Sequence, residues 1–538
     1  MGARISGACM GALALAFTLA VADPAAARDC ASVAATAVAG ADITATLQPA
    51  GPFQVPAELG PATMVDLPAF CRVKGVLRPS RDSQIAFELW LPAENWNGRF
   101  QGVGNGGFAG TIPYGGLAAA LRSGHAAAAS DTGHAAGVTD AKWARGHPQK
   151  VVDFGWRAVH LTAVVGKALT RAYYGADPRK SYFVSCSNGG RQGLMEAQRF
   201  PSDYDGIVAG APAYNWTGLF TGFVWNAQWL AKPGAMTPAA KATAIASAVL
   251  AQCDKLDGLA DGLISDPRRC SFDPRTMRCA DAETNSCLTD PQIAALGAIR
   301  QGPRNPDGKQ IYFGFPPGGE TAPGSAGWDM WIFGAAPGAS IQNAFGSNFV
   351  KYIVGTGDGW TPSDFNFGRD FERLRARTAS VFNATNPDLS RFAARGGKLI
   401  LFHGWSDAAI PAQGTIAYRD AVARKMGSAR TQSFVRLFMV PGMHHCGGGV
   451  GPSEFGQDGP SRENDDPTTS LTAALQTWAE KGRAPEQVIA SQAPVPGAPA
   501  GTAIRTGLIC AYPRRAELLE GGDPLRAQGY RCGVRKSD

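Results

Sequence analysis

The sequence predicts an α/β fold with a mostly parallel sheet and one large insertion. Short apolar segments typical of buried strands alternate with segments of helical spacing, which is the pattern of strand–helix–strand units. With 538 residues, 45% of them hydrophobic, the chain is too long for one minimal domain and can bury a substantial core. The alternation is lost between residue 211 and about residue 385, so we expect an inserted domain there.

The elements follow one another in a regular order on both sides of the insertion. Apolar runs predict strands at 83–91, towards Gly102, and at 181–185, 206–210, 398–403 and 435–440. Helical spacing predicts helices at 156–174, before the stop signal Gly175, and at 191–200. The predicted organisation is a first core part at 28–210, the insertion at 211–385 and a second core part at 386–538.

The first 27 residues have the layout of a secretory signal peptide. Arg4 precedes an apolar stretch at 12–21, and the small residues at 25–27 are typical of a signal-peptide cleavage site. A retained membrane anchor is the alternative, but the apolar stretch is too short to span a bilayer comfortably. No later stretch reaches about 18 apolar residues, and the 51 basic residues are scattered, so neither a membrane nor a nucleic acid is an expected partner. We therefore expect a secreted or periplasmic protein.

The cysteine content agrees with export. Apart from Cys9 in the signal peptide, the chain has an even number of cysteines and no CxxC pair, which favours five disulfides over metal sites. Proximity along the chain suggests the pairs Cys30–Cys71, Cys253–Cys270, Cys279–Cys287 and Cys510–Cys532. Cys186 and Cys446 are then left over, either as a fifth bridge or as two separate buried thiols.

The sharpest chemical signal is the segment Val184–Gly190, in which a strand enters a tight turn that opens a helix. Ser187 on such a turn projects its hydroxyl above the sheet edge, as a nucleophile elbow requires. Position 185 is Ser, where the usual G-x-S-x-G pattern has Gly, so the motif alone leaves an ordinary strand–helix turn as an alternative. The next residue, Asn188, would supply one backbone N–H to an oxyanion hole.

Two residues that follow later strands complete a candidate catalytic triad. Asp407 and His445 come after the last two predicted strands, in the order Ser, acid, His that α/β-hydrolases show. Each residue alone would more often be an ordinary loop residue. A bridge between Cys186 and Cys446 would tether the nucleophile to the base, and it favours His445 over the adjacent His444.

A glycine-rich loop at 102–108 follows the second predicted strand, where α/β-hydrolases place the other oxyanion donor. We expect that donor to be the backbone N–H of Gly106 or Gly107. A dinucleotide-binding fingerprint is the competing interpretation. It fails because no amphipathic helix follows the loop and no suitable acid lies about 20 residues further on.

An acidic segment with interspersed glycines lies inside the insertion at 253–264. Its oxygen atoms could surround one hard cation, although the spacing is not that of an EF-hand. The candidate ligands are the carboxylates of Asp254, Asp257 and Asp261 and the backbone carbonyls of Leu259 and Leu263. A flexible acidic loop without metal is the alternative, while the flanking Cys253 and Cys270 favour a preorganised loop.

Together these residues resemble the tannase and feruloyl esterase family of secreted α/β-hydrolases, which includes mono(2-hydroxyethyl) terephthalate hydrolase. The resemblance covers nearly the whole chain after the signal peptide. The matching motifs are C-S-x-G-G at 186–190, W-S-D at 405–407, H-C at 445–446, G-N-G-G-F at 104–108, Q-R-F-P-x-D-Y-D-G-I-V-A-G-A-P at 198–212 and D-x-x-D-G-x-x-D-G at 254–262. The resemblance implies the triad Ser187, Asp407 and His445, and a structural calcium ion in a lid domain formed by the insertion.

The resemblance also implies hydrolysis of esters of aromatic acids such as ferulate or gallate, with a small aromatic ester as the binding partner. A terephthalate monoester is the alternative substrate, and its carboxylated ring would need a lid cation such as Lys351 or Arg369. Ile410, three residues after Asp407, supplies only apolar surface, so we favour a phenolic ester. Two further alternatives are a calcium-dependent binding protein that has lost catalysis and a peptidase on the same fold.

Overall fold

The computed structural model describes residues 1–2, 29–36, 38, 40–56, 64–321, 326–457, 465–492 and 504–534. The predicted signal peptide, apart from its first two residues, therefore lies outside the described residues. A nine-stranded sheet forms the centre of the fold, and three small antiparallel pairs of strands accompany it.

The large sheet has a parallel and an antiparallel part. The strands of the large sheet and of the small pairs, numbered together in chain order, are β1 (Ala41–Gln48), β2 (Gly51–Gln54), β3 (Met64–Leu67), β4 (Phe70–Leu77), β5 (Ile85–Pro92), β6 (Arg99–Val103), β7 (Ala126–Ser130), β8 (Lys180–Cys186), β9 (Gly206–Gly210), β10 (Lys398–Gly404), β11 (Val435–Val440), β12 (Gln487–Ser491), β13 (Thr506–Cys510), β14 (Arg515–Leu518) and β15 (Tyr530–Gly533). The order in the sheet is β1-β4-β5-β7-β6-β8-β9-β10-β11. From β7 to β11 neighbouring strands are parallel, whereas β1, β4 and β5 pair antiparallel. The predicted α/β fold is confirmed.

Helices cover both faces of the parallel part. They are α1 (Cys30–Val33), α2 (Tyr114–Arg122), α3 (Pro148–Val152), α4 (Ala158–Tyr174), α5 (Asn188–Arg199), α6 (Trp216–Leu230), α7 (Lys241–Cys253), α8 (Asp290–Gln301), α9 (Ile341–Asn348), α10 (Arg369–Phe382), α11 (Ser390–Ala394), α12 (Gln413–Met426), α13 (Ser428–Phe434) and α14 (Leu471–Lys481). Phe183 of β8 belongs to the large core that includes α4 and α5, whereas Tyr182 and Val184 face a second core with α14. Burial on both faces explains why these strands are continuously apolar in sequence.

Within the large sheet, the sequence prediction missed β1, β4 and β7, and it also missed the strands of the small pairs, β2, β3 and β12 to β15. Strand β7 consists of four alanines and a serine, and alanine has a low strand propensity. It forms because β5 and β6 pair with it on either side and bury all five of its residues. Pairing with neighbouring strands overrides the local preference at this position.

The segment between β9 and β10 adds no strand to the sheet among its described residues. It contributes α6 to α11 and packs aromatic rings on the core. The ring of Phe108, after β6, lies 6.0 Å from Trp216, 5.5 Å from Phe220 and 5.3 Å from Phe345. This arrangement is compatible with an inserted domain, whose bounds at 211 and 385 stay a prediction.

Five disulfides join the described cysteines. They are Cys30–Cys71, Cys186–Cys446, Cys253–Cys270, Cys279–Cys287 and Cys510–Cys532. The four short-range bridges are those that proximity along the chain suggested, and the two remaining cysteines form the long-range one. Across the described ranges, no helix combines the length and apolar character needed to cross a membrane.

Candidate active site

Ser187 lies in the tight turn between β8 and α5. Its backbone has φ 64° and ψ −123°, a conformation that residues with a side chain rarely adopt, and its N–H donates to the carbonyl of Gly210 at 2.9 Å. A Cβ on Gly190 would lie 2.2 Å from the same carbonyl oxygen, so the close approach of α5 to β9 requires glycine there. The surrounding backbone holds the strained turn that the sequence predicted.

Two glycines make room for Ser185, which replaces the glycine of the usual elbow pattern. A Cβ on Gly189 would lie 1.8 Å from Ser185 Oγ, and a Cβ on Gly104 would lie 2.8 Å from the same atom. The side chain of Ser185 therefore fits between the first turn of α5 and the loop after β6. The substitution leaves the turn at Ser187 intact.

The structure brings Ser187, His445 and Asp407 into one hydrogen-bonded chain. His445 Nε2 lies 2.9 Å from Ser187 Oγ, and His445 Nδ1 lies 2.9 Å from Asp407 Oδ2. The three residues follow β8, β11 and β10, whose carboxyl ends share one edge of the parallel sheet. Because an ionised carboxylate only accepts hydrogen bonds, we assign the proton to Nδ1, which leaves Nε2 free to accept from the Ser187 hydroxyl.

The adjacent His444 occupies a different environment. Its ring is fully buried, and burial lowers its pKa. No hydrogen bond joins it to Ser187 within the described part of the chain. The Cys186–Cys446 bridge, with Cα atoms 5.9 Å apart, links the residues next to Ser187 and His445. Of the two candidate bases, His445 is therefore the one that the fold presents to the serine.

Asp407 is fully surrounded by hydrogen-bond donors. Its Oδ1 accepts from the backbone N–H groups of Ala409 at 2.8 Å and Ile410 at 2.9 Å. Its Oδ2 faces His445 and also lies 3.1 Å from His403 Nε2. Burial alone raises the pKa of Asp407, but the charge of His445 and the hydrogen bonds of His403 and His445 outweigh it and hold that pKa below its usual range. The acid is thus kept ionised although it is buried.

The predicted oxyanion loop lies against the first turn of α5. The Asn105 N–H donates to Gln192 Oε1 at 2.9 Å, and Gln192 Nε2 donates to Asn105 Oδ1 at 3.3 Å. This amide pair fixes the loop and removes the Asn105 N–H as a donor to substrate. The N–H groups of Gly106 and Gly107 have no protein acceptor among the described residues, so both stay available.

Arg191, which the sequence analysis did not single out, links the start of α5 to the insertion. It is fully buried, and its Nε donates to Asn188 Oδ1 at 2.8 Å. The guanidinium donates to the carbonyl of Gly155 at 2.7 Å and lies over the rings of Trp216 and Phe154. Burial lowers its pKa to about 9. These contacts hold the side chain of Asn188 next to the nucleophile.

The insertion supplies an aromatic wall beside the histidine. The ring of Trp331 lies 5.5 Å from the His445 ring at an angle of 69°. Trp331 also stacks with Phe345, and the two ring centroids are 6.1 Å apart. An aromatic surface therefore borders the base, and stacking on Phe345 restricts the orientation of the Trp331 ring.

The two candidate cations of the insertion are engaged elsewhere. Arg369 Nε lies 2.9 Å from Asp370 Oδ1, on a side chain that is 68% exposed. The positive charge of Lys351 acts on Asp358, whose pKa is lowered mainly by its hydrogen bonds to Arg145 and Tyr352. No described contact joins either cation to Ser187, Asp407 or His445. Among the described residues, the triad therefore has apolar and aromatic neighbours, and neither Lys351 nor Arg369 contacts it.

Carboxylates of the acidic loop accept hydrogen bonds from backbone N–H groups of the same loop. Asp254 Oδ1 accepts from the N–H of Gly262 at 3.1 Å, and Asp261 Oδ1 accepts from the N–H of Leu263 at 3.1 Å. Asp257 pairs with the Ser265 hydroxyl, and Asp261 pairs with Arg505. The three aspartates line one cavity of about 500 Å³, and the Cys253–Cys270 bridge closes the loop. Hard oxygen ligands on a stapled loop suit calcium, which would compete with Arg505 for Asp261.

Comparison with known proteins agrees with this geometry. Residues 71–533 match the family described as tannase and feruloyl esterase. An uncharacterised esterase of Xanthomonas campestris pv. campestris is 42% identical over 533 residues, which cover 94% of this chain and 91% of the relative. A probable feruloyl esterase B-1 of Aspergillus terreus is 34% identical over 471 residues, covering 86% of both chains.

A solved structure extends the likeness to the whole fold. The crystal structure of feruloyl esterase B from Aspergillus oryzae superposes with a TM-score of 0.83 at 30% identity. The match covers 94% of this chain and 99% of the other. The α/β-hydrolase fold is thus shared over most of both chains. The chain therefore belongs to the tannase and feruloyl esterase family.

Proposed function

We propose that this family member is an exported serine esterase that hydrolyses esters of phenolic acids through an acyl-enzyme. The observation that carries the proposal is the hydrogen-bonded chain from Asp407 through His445 to Ser187, with both distances at 2.9 Å. A family of ester hydrolases is the context in which that chain occurs. The same three residue types, in this geometry, activate a serine hydroxyl on unrelated folds.

The first half of the reaction acylates Ser187. His445 Nε2 accepts the hydroxyl proton while Oγ attacks the ester carbonyl carbon, and Asp407 holds the imidazolium that forms. The tetrahedral intermediate collapses when Nε2 returns the proton to the departing alcohol. Ser187 then carries the aromatic acyl group as an ester.

The second half releases the acid. A water molecule takes the place of the alcohol, gives a proton to His445 Nε2 and attacks the acyl carbon. Collapse of this second intermediate frees the carboxylic acid and returns the proton to Ser187. In both halves the negative oxygen faces the N–H of Asn188 and that of Gly106 or Gly107, which we propose as the oxyanion hole.

The surroundings of the triad support a phenolic rather than a carboxylated acyl ring. Trp331 and Phe345 form an aromatic wall beside His445, which suits a flat acyl group. A terephthalate monoester would bury a carboxylate, and an unpaired buried charge is costly. Lys351 and Arg369, the cations considered for that role, make their described contacts elsewhere.

Calcium and export are part of the same proposal. We propose that Asp254, Asp257 and Asp261, with the carbonyls of Leu259 and Leu263, hold one structural calcium ion. When bound, the ion would neutralise part of the negative charge that the three aspartates bring together. Five disulfides are typical of an oxidising compartment, which supports secretion or a periplasmic location.

The proposal is tested with a fluorophosphonate probe and three esters on the mature, oxidised protein with calcium. Ser187→Ala should abolish labelling and lower kcat by at least about 10⁴-fold, because the nucleophile is lost. Ser185→Gly is the matched control, since it changes a nearby serine whose hydroxyl lies close to Gly104 and Gly189 and bonds to no triad residue among the described contacts, and it should keep labelling.

The choice of ester decides the substrate class. We expect kcat/KM for methyl ferulate or methyl gallate to exceed that for mono(2-hydroxyethyl) terephthalate. Faster turnover of the terephthalate ester would overturn the phenolic assignment but keep the esterase. A folded protein that is neither labelled nor active would instead favour a catalytically silent binding protein.

A further inference from the structure

A second histidine contacts the acid of the triad. His403 lies at the carboxyl end of β10 and is fully buried. Its Nε2 lies 3.1 Å from Asp407 Oδ2 and 3.0 Å from the carbonyl oxygen of Ile410. The Ile410 N–H in turn donates to Asp407 Oδ1 at 2.9 Å. One ring nitrogen therefore touches both the carboxylate and the backbone that supports it.

The two neighbours of Nε2 determine which tautomer His403 adopts. A carboxylate oxygen and a carbonyl oxygen both accept hydrogen bonds, so Nε2 must carry the proton and act as donor. The other ring nitrogen, Nδ1, lies 2.7 Å from the hydroxyl of Thr415. That hydroxyl can donate to Nδ1 of a neutral ring, which fixes the Nε2–H form. Thr415 is itself buried on α12, so this partner cannot be exchanged easily for water.

Resting on the function proposed above, we propose that His403 is a positioning residue for Asp407, held by Thr415 in the tautomer that donates to the acid. Asp407 Oδ2 is then shared by two imidazoles, one from His403 and one from the base His445. The shared contact stops the carboxylate from rotating. It also draws part of the negative charge away from His445.

The charge effect has a definite sign. A carboxylate that loses the His403 donor holds more negative charge towards His445, and it stabilises the imidazolium more strongly. The base then becomes protonated at a higher pH, so the acid limb of the pH–rate profile moves upwards. Among the described residues, the titratable groups of His444 and Tyr312 also face Asp407. Burial lowers the pKa of His444 and raises that of Tyr312, which keeps both uncharged at neutral pH.

The test compares two substitutions of His403 whose side-chain amides reach the positions of different nitrogen atoms of the imidazole ring. In His403→Asn the amide reaches the place of Nδ1, next to Thr415, and leaves Asp407 without this donor. In His403→Gln the amide nitrogen reaches the place of Nε2 and can still donate. We expect His403→Asn to lower kcat/KM about 10- to 100-fold, the cost of one hydrogen bond to a charged group. Its acid limb should move up by roughly 0.5–1 pH unit, and His403→Gln should restore most of both quantities.

Another buried histidine supplies the matched control. His125 lies before β7, away from the triad, and bonds to Gln476 on α14. His125→Asn removes the same ring from the opposite edge of the sheet, so it should change thermal stability but not the acid limb. A His403→Asn protein with wild-type kcat/KM and acid limb would overturn the proposal. Equal impairment in His403→Gln and His403→Asn, with unchanged acid limbs, would assign His403 to packing alone.

A second variant keeps the test open if the His403 variants do not fold. Thr415→Val keeps the volume but removes the hydroxyl that faces Nδ1. It should shift the acid limb in the same direction as His403→Asn, by a smaller amount, and an unshifted limb in folded Thr415→Val would count against the proposal. Failure of the proposed function would look different, because the unmodified protein would then neither react with fluorophosphonate nor hydrolyse any of the esters.

Discussion

Two carboxylates are buried on opposite edges of the sheet, and their surroundings differ sharply. Asp407, 2% exposed, lies at the carboxyl ends of the strands and faces two backbone N–H groups and two imidazoles. Glu196, 1% exposed, lies near the end of α5, and neither of its oxygens receives a hydrogen bond among the described residues. The nearby donors His160 and Lys167 contact Asp203 instead, at 2.6 and 2.8 Å.

Both acids are buried, so the difference between them comes from the hydrogen-bond donors and the charges that each carboxyl group faces. The positive charge and hydrogen bonds around Asp407 hold its pKa below the usual range in spite of burial. Burial and the negative charge of Asp203 raise the pKa of Glu196 well above its usual value, against a smaller opposite effect of Lys167. The surroundings therefore act in opposite directions, because they favour the ionised form of Asp407, which supports the base, and the protonated form of Glu196.

The largest expected effect comes from making the same chemical change at both acids. Asp407→Asn should lower kcat by about 10⁴-fold, because an amide no longer enforces the tautomer of His445 that accepts from Ser187. Glu196→Gln changes a carboxyl to an amide at the other edge, and it should leave kcat within about twofold. Steady-state kinetics on methyl ferulate at neutral pH measure both. Loss of activity confined to Glu196→Gln would reverse the comparison.

The acidic loop is where we propose a calcium ion, and removal of that ion should have an intermediate effect. Chelation with EGTA should lower the melting temperature by several degrees, since an ion present at about 100 times its Kd contributes about 2.7 kcal/mol. Asp257→Asn should remove most of the difference between samples with calcium and samples with EGTA. Asp281→Asn, at an exposed aspartate of the insertion, is the control and should keep it. Identical melting in calcium and in EGTA would exclude the ion.

The smallest effect tests the charge state of Glu196 through stability. The pKa of Glu196 is higher in the folded protein than in the unfolded chain, so the unfolded chain releases the Glu196 proton first as the pH rises. The unmodified protein therefore loses stability as the pH rises above the ordinary pKa of a glutamate. Glu196→Gln has no proton to lose. It should therefore melt about 1–2 °C above the unmodified protein at pH 7 and at nearly the same temperature at pH 4. A larger advantage at pH 4 than at pH 7 would contradict a raised pKa.

The triad shows how far sequence reasoning reached into the site. Ser187, Asp407 and His445 could be selected because each follows an apolar strand, and parallel strands end at one edge. The cysteine next to Ser187 also pairs with the one next to His445, as the count of cysteines suggested.

Other residues of the site could not be found in this way. Arg191 and Gln192 follow the nucleophile in a helix where charged and amide residues usually face solvent. Their partners, Gly155 and Asn105, are remote in sequence, and only packing brings them together. His403 carried a weak signal, since it ends a buried strand four residues before Asp407, but nothing in the pattern shows which way its ring points.

From the sequence alone it was possible to infer β5, β6 and β8 to β11 in chain order, the turn at Ser187 and the residues that follow β10 and β11. These depend on local apolar runs, glycine spacing and chain order. Tertiary packing alone sets the direction in which the pKa of each interior acid shifts. It surrounded Asp407 with donors and left Glu196 without them, because a pKa depends on the direction of hydrogen bonds and on burial, and both arise from contacts between residues far apart in the chain.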